Sequence, residues 1–165
     1  MSASSSNKTS PSSQRRLGRE RALQTLYTVE VGRQPIDEVL AQAQENTEMD
    51  EKMLDFVRKL VTVTLKSQSE IDPMLEKLAT GFPVARQTVV DRNILRMAAA
   101  EILFHASDAP PGAVVNEAVE LAKKFSTSES GRFVNGVLGA LVRDIEKRRA
   151  AEDTPVAEAD EADGA

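Results

Sequence analysis

The residues best suited to chemistry in this sequence are arginines: Arg15, Arg16, Arg19 and Arg21 lie close together, with only Glu20 opposing them. A planar guanidinium offers paired donors that grip a phosphate and a flat face that stacks on a base. Arginines that neutralise phosphates release counterions, so such binding weakens steeply with salt. Gln24 and Tyr27 follow one to two helical turns downstream. They supply an amide that reads base edges and a ring on which an unpaired base stacks. A second basic group, Lys123, Lys124 and Arg132, surrounds an inter-helix turn beside Phe133. Charge alone leaves another reading open, because short basic clusters often mark nothing more than a solvated helix end.

Catalytic groups are scarce. The chain has no cysteine and a single histidine, His105, so thiolate sites, histidine zinc sites and most histidine-dependent catalysis are excluded. Asp91, Glu101, Glu117 and Glu120 stand at ordinary helix-surface spacing with no accompanying histidine, and a carboxylate di-metal site would need Glu-x-x-His on two helices. No glycine-rich phosphate loop occurs. The expectation is a binding protein without enzyme activity, cofactor, metal or small-molecule substrate.

The formal net charge of −5 hides a polarity along the chain. Residues 150–165 hold six acidic residues and no Lys or Arg, and without them 20 acidic residues face 21 basic ones. A basic entry and an acidic exit result, so the overall acidity is no argument against nucleic acid. Residues 1–13 are Ser-rich and lack the apolar stretch of a secretory signal. No apolar run approaches the roughly 20 residues that span a bilayer. A cytoplasmic location without membrane association is expected. Residues 1–13 and 150–165 read as disordered tails around one domain over 14–149, since neither end has enough apolar surface to order itself.

Helical periodicity runs throughout that domain, and nothing alternates as a strand would. A first helix is predicted from about Gln14 to Val31, closed by Gly32 in a left-handed cap. Pro35 opens a short second helix, and Thr47 with Asp50 has the spacing of a capping box before a long third one. Asp72-Pro73 either starts a new helix or kinks a continuing one. Thr88, Pro110-Pro111 and Thr127 or Ser128 mark the later starts, giving an all-α bundle of about seven helices. Asn116 and Asn135 inside helical patterns suggest amides that bridge helices, and Gly136 suggests close backbone approach.

Three ordered blocks carry a family resemblance. Arg15-Arg16 through Tyr27, Val90 through Ala98, and Pro110-Pro111 with the stretch from Val115 to Leu138 resemble the NusB family over about residues 14–146. The resemblance implies an all-helical bundle of two packed subdomains. It further implies binding to the boxA element of ribosomal-operon RNA together with the ribosomal protein NusE. That complex joins the other Nus factors on RNA polymerase and suppresses termination. By the same resemblance Arg15, Arg16, Arg19, Gln24, Tyr27, Lys123, Glu129, Arg132 and Phe133 belong to the RNA side. Asp91 looks like an acidic position facing NusE, with Arg86 and Glu101 near it. Two alternatives stand beside this reading: an interaction domain related to ribosomal-RNA cytosine methyltransferases, and a helical scaffold with no RNA role.

Overall fold

The computed structural model describes residues 10–45, 49–80 and 82–153. Six α-helices occupy them: α1 Pro11–Gly32, α2 Ile36–Gln44, α3 Glu51–Leu78, α4 Val89–Leu103, α5 Pro111–Phe125 and α6 Ser128–Asp153, with one 3₁₀ turn at Val84–Arg86. Helix α4 is the hub, packed against α1, α3, α5 and α6. Asn93 to Ile102 are buried without a break, so this helix has no solvent face over most of its length. Its run Ala98, Ala99 and Ala100 lets neighbours on several sides approach closely. The groups α1–α3 and α4–α6 form the two packed subdomains around one continuous apolar core.

The helix starts follow from capping chemistry. The Oγ1 of Thr88 accepts from the backbone N–H of Asp91 at 3.1 Å, and the Oγ1 of Thr127 accepts from Ser130 at 3.0 Å. Asp50 is itself the cap of α3, accepting from the N–H of Met53 at 2.8 Å, whereas Thr47 lies outside the described residues. Ser10 caps α1 with Pro11 in its first turn, so residues 11–13 are helical and not part of a tail. At the other end α6 continues to Asp153, which makes residues 150–153 helical as well.

Two expectations about helix ends change. The left-handed residue closing α1 is Arg33, with φ 49°, while Gly32 remains inside the helix. Pro73 lies within α3, so the count falls from seven helices to six. The carbonyl that Pro73 leaves without its helical donor is that of Ser69, an exposed residue. Buried Ile71 and Leu75 hold both sides of the interruption. Arg96 reinforces it, donating through Nε and Nη2 to the two oxygens of Asp72 at 2.8 Å each.

The same region contains a second carboxylate, Glu30, bound by Arg92 and by the Asn93 amide. Burial pushes the Glu30 carboxyl up, but the hydrogen bonds from Arg92 and Asn93 and the nearby Arg96 outweigh it and hold the group below its ordinary value. The stability it contributes is therefore complete above the unfolded carboxylate pKa of about 4.3 and is lost as pH falls through the lower folded value. Glu30→Gln should flatten that acid limb below about pH 4, as read by urea midpoints across pH.

Gly18 is required by close approach. A Cβ at this position would lie 2.7 Å and 3.0 Å from ring carbons of Phe56 on α3. Gly18→Ala gains about 1 kcal/mol of helix propensity but forces the ring away from α1, an overpacking cost of roughly 1–3 kcal/mol. A net loss of stability in urea denaturation is the expected result.

Candidate nucleic-acid interface

The face of α1 is set by its register. Arg16, Glu20, Gln24 and Tyr27 recur at helical spacing and form one stripe of α1, which meets α5 at Arg16 and Glu20. Two ion pairs cross that seam. Arg16 donates through Nε and Nη2 to Glu117 at 3.1 and 2.9 Å, and the Nζ of Lys124 donates to Glu20 at 2.7 Å. The hydrogen bond to Glu117 and its charge hold the Arg16 guanidinium even more firmly protonated than usual. Gln24 and Tyr27 are exposed, Tyr27 by 44%. The two basic groups, separated by a hundred residues in sequence, thus meet on one surface.

Beyond Lys124 the surface continues to Lys123 and the start of α6. A Cβ at Gly131 would lie 3.0 Å from the Cγ of Lys123, so the missing side chain lets α6 begin directly against this lysine. Arg132 and Glu129 are exposed there, and among the described residues neither makes an ion pair. Phe133 is half-buried and packs edge-on to Phe82, with ring centroids 5.4 Å apart. The face therefore combines exposed cations, paired with part-buried carboxylates, with an amide and a ring. The charged ends of Arg16 and Lys124 stay in contact with water, so an incoming phosphate can reach them.

Arg19 does not join this face. It lies one stripe away, 5% exposed, and donates to both oxygens of Glu101 at 2.8–3.2 Å. Glu101 is itself 3% exposed and also accepts from Ser107 Oγ at 2.8 Å. The expected basic ridge of Arg15, Arg16 and Arg19 is thus split by the helix. Arg15 turns towards the α4–α5 connection and pairs with Asp108 at 2.5 Å. Its hydrogen bond holds the Asp108 carboxyl below its ordinary value.

The three residues expected to face NusE are likewise dispersed. Arg86 is exposed on the turn before α4. Asp91, in the first turn of α4, is 7% exposed and accepts from Ser130 Oγ at 2.8 Å. Its Oδ1 is buried and has no hydrogen-bond partner among the described residues. Glu101 lies about 15 Å farther along the helix, committed to Arg19.

The structural roles expected of two asparagines and a glycine are corrected. Asn116 and Asn135 are exposed, and neither bridges to another described residue. They lie away from the buried stripes of α5 (Val114, Ala118, Leu121) and α6 (Val134, Val137, Leu141), on the solvent side of each helix. A Cβ on Gly136 would meet nothing within 4 Å, so no backbone approaches it either. Sequence reasoning, in turn, misses Glu117, Glu20, Asp108 and Phe56. The i, i+4 relation of Arg16 to Glu20 is visible in the sequence, but only the fold shows that each pairs across the seam.

No described helix is long and apolar enough to cross a membrane. Comparison with known proteins places this arrangement in context. The family model described as the NusB family matches residues 16–143. The transcription antitermination protein NusB of Heliobacterium modesticaldum is 42% identical over 148 residues, spanning 87% of this chain and 71% of that protein. The protein of the same name from Symbiobacterium thermophilum is 41% identical, spanning 84% of this chain and 95% of its own. Among solved structures, T. maritima NusB is 30% identical with a TM-score of 0.73, covering 82% of this chain and 96% of its own. A crystal structure of antitermination factors NusB and NusE in complex with dsRNA matches with 30% identity and a TM-score of 0.71, covering 79% of this chain and 97% of that one. With the family model spanning most of the residues that build both subdomains and the α1–α5 seam, this chain belongs to the NusB family.

Proposed function

We propose that this chain is an RNA-binding transcription antitermination factor that takes the boxA element of ribosomal RNA transcripts together with ribosomal protein NusE. The complex supports processive transcription by RNA polymerase alongside the other Nus factors. The protein acts in the cytoplasm, as a binding partner and not a catalyst. One observation carries the reading: Arg16 and Lys124 pair across the seam of α1 and α5, with exposed Gln24 and Tyr27 farther along the same stripe of α1 and exposed Lys123 and Arg132 beyond Lys124. Cations on a helix seam position the phosphates, and the amide and rings read or stack on unpaired bases. Arg15, Glu129 and Phe133 border this face. Arg19 serves it indirectly, by fixing α1 on α4 through Glu101.

For NusE, the surface around the N-terminus of α4 is favoured, with Arg86 exposed there and buried Asp91 joining the first turn of α4 to α6 through Ser130. Glu101 takes no direct part. Fluorescence anisotropy with labelled boxA RNA, with and without NusE, tests both halves. Tighter binding in the presence of NusE is expected for the wild-type chain, and Asp91→Asn should diminish that gain while leaving binding of RNA alone unchanged. Equal binding with and without NusE would remove the NusE half of the proposal.

A further inference from the structure

A second feature lies on the other side of the first turns of α1. An open cavity of about 290 Å³ separates α1 from the start of α3, lined by Pro11, Gln14, Arg15, Lys52, Met53 and Phe56. Its floor is apolar and its mouth carries two cations. Lys52 is exposed and makes no ion pair among the described residues. Lys52, Phe56 and Lys59 recur at i, i+4, i+7 and so form one stripe of α3 facing this side. Lys59 is near enough to Asp108 to help hold that carboxyl down.

Phe56 is unusually placed for an aromatic residue at a helix–helix contact. Gly18 lets its ring edge abut α1, and the guanidinium carbons of Arg15 and Arg19 lie 5.9 and 5.5 Å from its centroid. Cations near a ring that also lines an open cavity supply the charge and the aromatic surface that a flat heteroaromatic group bearing phosphate uses. An apolar peptide side chain would satisfy the floor but would leave Lys52 and Arg15 without an anionic partner.

We propose that this cavity is a nucleotide subsite: one unpaired base of bound RNA stacks on the Phe56–Met53 floor, while Arg15 and Lys52 take its flanking phosphates. The inference rests on the RNA reading of the α1–α5 seam and extends that surface around α1 to α3. A strand crossing the first two turns of α1 meets Arg16 on one side and Arg15 on the other, because consecutive residues point about a hundred degrees apart. Asp108 competes for Arg15 in the free protein through an exposed ion pair, which a phosphate displaces readily. Gln14, at the rim, offers an amide to the base edge.

The test uses the full-length chain and a fluorescein-labelled single-stranded boxA RNA, titrated over a potassium chloride series. Lys52→Ala should weaken binding by roughly fivefold and lower the log–log salt slope by about 0.7, the value for one phosphate on a single strand. Lys52→Glu should weaken it further, and Lys66→Ala, on the same helix but in the groove beside α2, should change nothing. With 4-thiouridine in the RNA, ultraviolet crosslinks should map to Met53 or Phe56. If wild type binds with the expected salt slope but both Lys52 variants match it and no crosslink falls on α3, the subsite is refuted and the seam reading stands. Crosslinks confined to α1, α5 and α6 with an unchanged slope likewise refute the subsite alone. If wild type binds no RNA at all, both proposals fall together.

Discussion

Replacing Glu101 by alanine is expected to destabilise the protein by about 3–5 kcal/mol, the usual cost of stranding one member of a buried ion pair. Arg19 and Glu101 have side chains only 6% and 2% exposed, and their hydrogen bonds join α1 to the hub helix α4. Without the carboxylate, a buried guanidinium remains beside the Phe56 ring with no carboxylate partner, and Ser107 loses its acceptor. For a domain of this size the melting temperature should fall by roughly 10–15 °C. The double substitution Arg19→Met with Glu101→Leu should recover much of the loss, since similar apolar volume without charge is often tolerated at such sites. The salt slope of RNA binding by the folded double variant should match that of wild type, because Arg19 is committed to Glu101 and takes no phosphate. A double variant as unstable as Glu101→Ala would show that packing, and not the stranded charge, dominates.

The largest effect on function is expected from Arg16, Lys123 and Arg132 changed together to alanine. All three are exposed, so thermal stability should move by less than about 1 kcal/mol. Hydrogen bonds to charged groups are worth about 1.5–3 kcal/mol, so losing even one costs about tenfold in affinity, and three should take binding beyond a hundredfold weaker. The salt slope should fall by about 2, at roughly 0.7 for each single-strand phosphate released. Arg19→Lys, Arg86→Ala and Lys66→Ala should leave that slope in place. A triple variant with a wild-type slope would move the RNA to another surface.

How much of the molecule is legible in the sequence depends on whether a feature is local. Caps such as Thr88 and Thr127 act within one turn, and both can be read directly. The buried stripes are readable for the same reason, through periodicity. Pro73 is ambiguous because a proline's effect depends on whether flanking residues are anchored, and only the packing of Ile71 and Leu75 shows that they are. The arginine run announces phosphate chemistry but not which guanidinium faces outward. Arg16 and Arg19 differ by three positions, yet one stays exposed against a part-buried carboxylate across a seam and the other is buried with its partner. Their partners, Glu117 and Glu101, are more than eighty residues away, and no local pattern announces them. Asn116 and Asn135 mislead because a poor helix former need not have a protein partner; water suffices on an outer stripe.

The alternatives narrow on the same geometry. A helical scaffold with no RNA role gives no reason for two exposed cations and an amide to share one face. The methyltransferase-related reading shares the fold, and RNA binding by the isolated chain separates it from an antitermination factor. RNA recognition is tested most directly by the affinity of the wild-type chain for boxA RNA and for a scrambled RNA of equal length, each across a salt series. Tighter binding to boxA is expected, weakening steeply as salt rises, with the slope lost on removing Arg16, Lys123 and Arg132. Binding that ignores salt and shows no preference between the two RNAs would contradict recognition by the α1–α5 seam.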